Sequence, residues 1–318
     1  MVSVVLAAAT VAAAVAGSMA GCSSAGTAPA TEQPPATERS PATAPATEQS
    51  PAAGTAPATE RFPAAGTVGA IDYWTKGRLL TATDWRASRM AGAPPPGARP
   101  TAHTSLQATR VGALFLRDGS DDHFCTASVV SSPGRDLLIT AAHCINGGNG
   151  SGYRSDLVFI PDYRDGEAPY GIWTPSRLLV APGWAKSADP ALDVGFVVLE
   201  PRDGENIEQV LGADTLTFDP GYRNLVRVTG YPQSSSEPIT CRNWTTEQSA
   251  SQLKFSCGGF TGGTSGSPWI TRFDSATGTG HVVGVIGGYQ QGGDTASVSY
   301  SAYLDTAIKQ LYDEAIAG

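Results

Sequence analysis

From Val111 onward the chain alternates short apolar runs with turn residues. The first are VGALFLR (111–117), CTASVV (125–130), DLLITAA (136–142) and DVGFVVL (193–199). LVRVTGY (225–231), QLKFSC (252–257), PWITR (268–272), HVVGVIG (281–287) and ASVSYS (296–301) follow. Such runs, rich in β-branched side chains and bounded by Gly, Pro, Asn or Asp, predict strands. Only the end has a helical period: Leu304, Ala307, Ile308, Leu311 and Ala315 fall on one face. The pattern predicts an all-β barrel or sandwich of roughly 200 residues closed by a C-terminal helix.

Upstream the pattern is different. Val2 to Met19 is apolar, and the small residues GSMAGCSS end at a cysteine, which reads as an export signal over 1–22. It resembles a bacterial lipoprotein signal, with Met19-Ala20-Gly21-Cys22 as lipobox and Cys22 as the acylated residue. An ordinary cleaved signal and an uncleaved anchor are the alternatives. Residues 23–67 are almost entirely Ala, Pro, Thr, Glu, Gln, Ser and Gly, and TAPATEQ at 27–33 recurs at 43–49 and as TAPATER at 55–61. With so little apolar bulk this stretch is expected to be a disordered, proline-stiffened linker. Residues 68–110 bring the tryptophans of IDYWTKGRLLTATDWRASRM and then APPPGARP. They read as a removable pro-segment or as a strap on the domain at 111–318, with Arg110-Val111 as a processing point.

Composition narrows the function. The 318 residues carry a formal net charge of -8 with no Lys/Arg-rich run, which excludes nucleic acid as a partner. Contact with a membrane is expected only through the N-terminal lipid or anchor, and the chain is expected to be a monomer. Of the five cysteines, Cys22 is set aside for lipid, leaving Cys125, Cys144, Cys241 and Cys257 as an even set for an oxidising, extracytoplasmic compartment.

Three positions carry candidate chemistry. His143 in ITAAHC follows a strong strand, next to Cys144, with Cys125 one strand upstream. A disulfide there would clamp the loop that holds a general base. Asp193 opens DVGFVVL, where a half-buried carboxylate needs a partner such as a histidine N–H. Asp189 is the competitor, and a plain turn aspartate is the bland alternative. Ser265 lies in GGFTGGTSGSPW (258–269), between Gly263 and Gly266, which let the backbone turn sharply and present N–H groups.

In the order TAAHC, DVGFVVL, GTSGSPW, these motifs resemble the trypsin/chymotrypsin-like serine peptidases over about residues 111–316. The resemblance implies two six-stranded antiparallel β-barrels and a catalytic triad of His143, Asp193 and Ser265. It places an oxyanion hole at the backbone N–H groups of Gly263 and Ser265, and needs no cofactor and no metal. HFC (123–125) resembles the family strand that is disulfide-bonded to the cysteine after the catalytic histidine, which implies Cys125–Cys144; Cys241–Cys257 follows by elimination. The nucleophile loop looks like that of the bacterial glutamyl-endopeptidase branch.

Departures from the family pattern are informative. Thr264 stands where animal members have the aspartate that pairs with a freed N-terminus. Gly259 stands at the base of the specificity pocket, so a Lys/Arg preference is unsupported. Ile286 replaces the histidine of the glutamate-specific branch, and His281 lies too far back to substitute. Gly287, Gly288 and Tyr289 are expected to line the pocket and to pair with substrate backbone as an edge strand. An apolar or small residue before the scissile bond is the expected preference. The acidic turn Asp118, Asp121 and Asp122 reads as solvated rather than as a calcium site. Two readings result: an exported serine endopeptidase acting on proteins or peptides, or a surface-displayed binding module on the same fold. Mass spectrometry of the exported protein tests the pro-segment reading, because an intact N-terminus at full activity excludes removal of 68–110.

Overall fold

Three short strands precede the predicted runs: β1 (Ala58–Arg61), β2 (Thr83–Asp84) and β3 (His103–Thr104). The computed structural model describes residues 56–62, 64–84 and 100–317; the signal at 1–22 with Cys22, and the linker as far as residue 55, lie outside them. The first barrel is β4 (Val111–Asp118), β5 (Asp121–Val130), β6 (Leu137–Thr140), β7 (Ser155–Pro161), β8 (Pro175–Val180) and β9 (Gly195–Leu199). Its antiparallel order is β8-β9-β6-β5-β4-β7. It closes where Phe159 and Trp173 exchange backbone hydrogen bonds of 2.8 and 2.9 Å.

A short β10 (Thr215–Leu216) leads into the second barrel. This comprises β11 (Leu225–Gly230), β12 (Ile239–Ser249), β13 (Gln252–Ser256), β14 (Pro268–Thr271), β15 (His281–Val285) and β16 (Val298–Ala302). The order β15-β14-β11-β12-β13-β16 closes through Val285 N–H to Ser301 Oγ (3.0 Å) and Gly287 N–H to Tyr300 O (2.9 Å). The two curled antiparallel sheets form the chymotrypsin-like double β-barrel. The helix Thr306–Ile316 starts on the Asp305 side chain, which caps Ala307 and Ile308. Its buried Ile308, Leu311 and Ala315 pack with Phe196, Leu179 and Val282, so it returns to the first barrel. There the Arg177 guanidinium donates to Ala315 O at 2.8 Å, satisfying a helix-end carbonyl.

The run VGALFLR is apolar on both faces for a physical reason. Leu114 and Leu116 point into the first barrel, while Val111, Ala113 and Phe115 belong to a second cluster with Trp74, Leu79 and Ala82. Those three residues come from the segment of helices Ala64–Tyr73 and Lys76–Thr81, which lies over the barrel as a strap. Trp74 Nε1 donates to Asp156 O at 2.6 Å, and Asp122 accepts from Tyr73 (2.6 Å) and Arg78 (3.0 Å). Asp118 pairs with Arg154 at 2.6 Å, so two members of the acidic turn neutralise cationic or hydroxyl neighbours.

The linker ends earlier than composition predicts. Ala58–Arg61 pairs antiparallel with Val180–Arg177, ten residues before the expected end at 67. Strand addition to an open edge uses main-chain groups, so a side-chain pattern that is polar and repetitive does not forbid it. The Arg110-Val111 junction is also built in: Arg110 donates to Gly278 O (2.9 Å) and Thr277 O (3.1 Å), and Val111 is buried.

Asp214, on the connection between barrels, exchanges main-chain bonds with the first barrel at Val129 and Ser131 and takes the Gly280 N–H (2.7 Å) on its carboxylate. Burial lifts its carboxyl from 3.8 to about 6, with the Gly280 N–H and Arg110 opposing. A raised acid pKa favours the fold below about pH 4, and that contribution is lost as pH rises through about 6. The stability difference between wild type and Asp214→Asn, measured by denaturant midpoint, should therefore shift against wild type by about 3 kcal/mol as pH rises between these limits.

Candidate active site

The strand β6 ends at Thr140 and the chain turns into a single helical turn, Ala142–Ile145, that carries His143. The Cys125–Cys144 disulfide ties this turn to β5 across a Cα–Cα distance of 6.2 Å. Asp193 follows the tight turn Pro190–Leu192 and precedes β9, and its side chain is wholly buried. Three donors converge on it. The His143 backbone N–H reaches Oδ1 at 2.9 Å, His143 Nδ1 reaches Oδ2 at 2.8 Å, and the Gly288 N–H reaches Oδ2 at 2.8 Å. A buried carboxylate needs such partners, and the double grip on His143 fixes which ring nitrogen faces it. His143 Nε2 is buried and makes no hydrogen bond among the described residues. Asp189 is exposed and caps its own turn through Ala191 N–H at 2.9 Å, so it takes no part in the site.

Ser265 comes from the other barrel, on the loop before β14. Gly263 and Gly266 on either side have φ of +86° and +83°. A Cβ at Gly263 would lie 2.3 Å from the Phe124 ring, and one at Gly266 would lie 2.0 Å from Thr126 O and 3.2 Å from Ala141 N. The second collision shows how near the loop passes to the start of the His143 turn. The loop is stitched to β5 by Thr126: its N–H donates to Ser265 O (2.7 Å) and its hydroxyl to Gly263 O (3.1 Å). Within the loop, Thr264 Oγ1 donates to Thr261 O (2.7 Å) and Ser267 Oγ to Thr264 O (2.6 Å). Thr264 is thus bonded locally, in a place where a charged residue would need a cationic partner. The Thr264 and Gly266 N–H groups go to Thr261 O and Ile286 O, whereas among the described residues those of Gly263 and Ser265 donate to no backbone carbonyl.

The specificity residues behave less simply. Gly259 (φ +104°) packs toward Ala102 and Ile239, and Phe260 beside it is fully buried. Residues 287–289 do not form the expected edge strand. Gly288 has φ +75°, the chain then enters a tight turn at Tyr289–Gly292, and all three N–H groups are used internally, by Tyr300 O, Asp193 and Gln252 Oε1. Gly287 and Gly288 lie against Asp193 instead, and a Cβ at 287 would be 3.2 Å from its Oδ2. Tyr289, 43% exposed, stacks edge-on with Tyr300 at 5.1 Å. His281 bonds Thr217 Oγ1 at 3.1 Å, at the start of β15. The second disulfide, Cys241–Cys257, links β12 to the chain entering the Ser265 loop. The cluster Cys125, His143 and Cys144 has metal-ligand spacing, but both sulfurs are in a disulfide and offer no thiolate.

Sequence reasoning missed Thr126 and Asp84. Thr126 is one of many threonines in strands, and nothing local distinguishes it. Asp84, on the short β2, is buried with its carboxylate against the loop: a Cβ at Gly262 would fall 1.3 Å from its Oδ2.

No protein-family model matches the sequence, and no curated protein matches it. Solved structures do. Protease Anisep from Arthrobacter nicotinovorans is 26% identical, with 69% of this chain and all of that one covered and a TM-score of 0.62. A thermostable serine protease, AL20, from an extremophilic microorganism is 28% identical, covering 66% of this chain and 97% of that one, at 0.60. A Glu endopeptidase shares the fold at 14% identity, 69% and 98% coverage and a TM-score of 0.55.

The loop geometry makes a discriminating forecast. Gly266→Ala meets backbone at 2.0 Å and should cost about 3 kcal/mol or more in denaturant melts. Gly221→Ala, at φ +71° in open space, should cost only about 1 kcal/mol.

Proposed function

We propose that this chain, whose solved neighbours include bacterial serine proteases of the trypsin/chymotrypsin fold, is an exported serine endopeptidase. The observation that carries the reading is the buried His143–Asp193 pair at 2.8 Å, with Nε2 left without a hydrogen bond among the described residues and the loop of Ser265 passing, at Gly266, close to Ala141 at the start of the His143 turn. In this reading Ser265 Oγ attacks the carbonyl carbon of a peptide bond and gives its proton to His143 Nε2. Asp193 holds the ring's other N–H and stabilises the imidazolium that forms. The developing oxyanion is received by the Gly263 and Ser265 N–H groups. Collapse expels the amine, which takes the proton from His143, and leaves an acyl-enzyme on Ser265. Water, deprotonated by His143, then releases the acid and restores the serine.

Neither disulfide survives well in a reducing compartment, and together with the apolar N-terminus they support export. A lipid on Cys22 would keep the domain at the membrane surface. The lack of a charged residue at Gly259 or Ile286 supports an apolar or small residue before the scissile bond.

A serine-directed fluorophosphonate should label the folded protein at Ser265 and leave Ser265→Ala unlabelled. Absence of labelling in folded wild type would favour the binding-module alternative. Asp193→Asn, which permits the wrong histidine tautomer, should lower kcat on a peptide substrate by about 10⁴-fold. Digestion of a peptide library reads out the preferred residue directly.

A further inference from the structure

The end of the strap lies against the loop that carries Ser265. β2 adds to β5 in parallel, with Thr83 opposite His123 and Asp84 opposite Phe124. Both positions are just before Cys125 and Thr126, the residues that hold the His143 turn and the Ser265 loop. The Phe124 ring packs on Gly263. Asp84 is 7% exposed; its N–H donates to Gln233 Oε1, and its carbonyl lies 3.2 Å from His123 Nδ1. Its carboxylate abuts Gly262, one residue from a proposed oxyanion donor.

An extended polypeptide binds such a site by adding a strand to an open sheet edge, because main-chain hydrogen bonds supply sequence-independent affinity. Here the edge at His123–Phe124 is already paired with Thr83–Asp84. Resting on the endopeptidase reading above, we propose that the His123–Phe124 edge receives extended substrate and that Thr83–Asp84 occupies it intramolecularly, holding the enzyme in a low-activity state toward polypeptides. The strap's apolar anchor, Trp74 with Leu79 and Ala82 on Phe115, keeps the occupant at high local concentration. A polypeptide substrate must displace the two residues, so its binding is weakened by the fraction of time that the edge is free.

The experiment compares full-length wild type with Trp74→Ala, which loosens the anchor, and with Asp84→Gly, which removes the carboxylate seated against Gly262 and loosens the β2 backbone while the Trp74 anchor stays. Two rates are measured: fluorophosphonate labelling of Ser265, which needs no strand edge, and cleavage of an extended fluorogenic peptide library. Labelling should be within about threefold among the three proteins, and peptide kcat/KM should rise roughly tenfold or more in the variants, chiefly through KM. Amide hydrogen exchange over 74–84 shows whether the strap has loosened in Trp74→Ala; if that variant does not fold, Asp84→Gly decides. Equal or lower peptide cleavage in folded variants, with normal labelling, overturns the occupant and leaves the hydrolase reading intact. Absence of labelling in all three overturns the hydrolase reading, and the occupant with it.

Discussion

The candidate site depends on one residue of the first barrel, Thr126, meeting one loop of the second. Its N–H and hydroxyl take the carbonyls of Ser265 and Gly263, its own carbonyl accepts from Thr140 Oγ1 (2.8 Å), and its hydroxyl accepts from the Tyr231 N–H (3.0 Å). The residue is fully buried, so each of these bonds is costly to leave unmade. On one side of it Cys125 leads through the disulfide to His143; on the other side Thr140 leads to the same turn. The two halves of the site are built by separate barrels, and Thr126 is where their separation is set.

Around that contact, glycines mark where backbone approaches backbone. Gly263 and Gly266 supply the positive φ that a substituted residue resists, and both lie too close to β5 for a Cβ. Gly287 plays a different part, admitting the chain beside Asp193, while Gly288 contributes its N–H to the carboxylate. Asp193 is thereby satisfied by two backbone amides and one imidazole, and its geometry is set before any substrate arrives. Preorganisation of this kind is what an oriented base requires.

The strap joins stability to the site. Its helices cover the outer face of β4 and β7, which explains why Val111, Ala113, Phe115, Val158 and Ile160 are apolar on a face that a free barrel would turn to water. The same segment ends at Asp84 beside Gly262, and the chain is found again at Pro100, whose carbonyl accepts the Gly258 N–H at 2.9 Å. The sequence leading into the barrels therefore flanks the Ser265 loop at both of these points.

Much of this was legible in the residues alone. Short apolar runs rich in β-branched residues and bounded by turn residues mark the strands, because those side chains fit a strand buried on both faces, and Ile308, Leu311 and Ala315 mark the last helix by their period of 3.6. The glycines around Ser265 marked a sharp turn, since few other residues adopt that backbone. Three things were not legible. The pairing of Ala58–Arg61 uses only main-chain groups, and composition is blind to them. The turn at Gly288 withdraws residues 287–289 from a strand edge because Asp193 and Gln252, distant in sequence, take their amides. Thr126 and Asp84 meet the Ser265 loop at residues more than a hundred positions away in the chain. The sequence by itself marked nine of the barrel strands, though not β7, β8 or β12, and showed which residue types can do acyl-transfer chemistry, because propensity and reactivity are local. Only the tertiary structure decided which of them meet, because burial and hydrogen bonding between barrels select partners by position in space rather than in the chain.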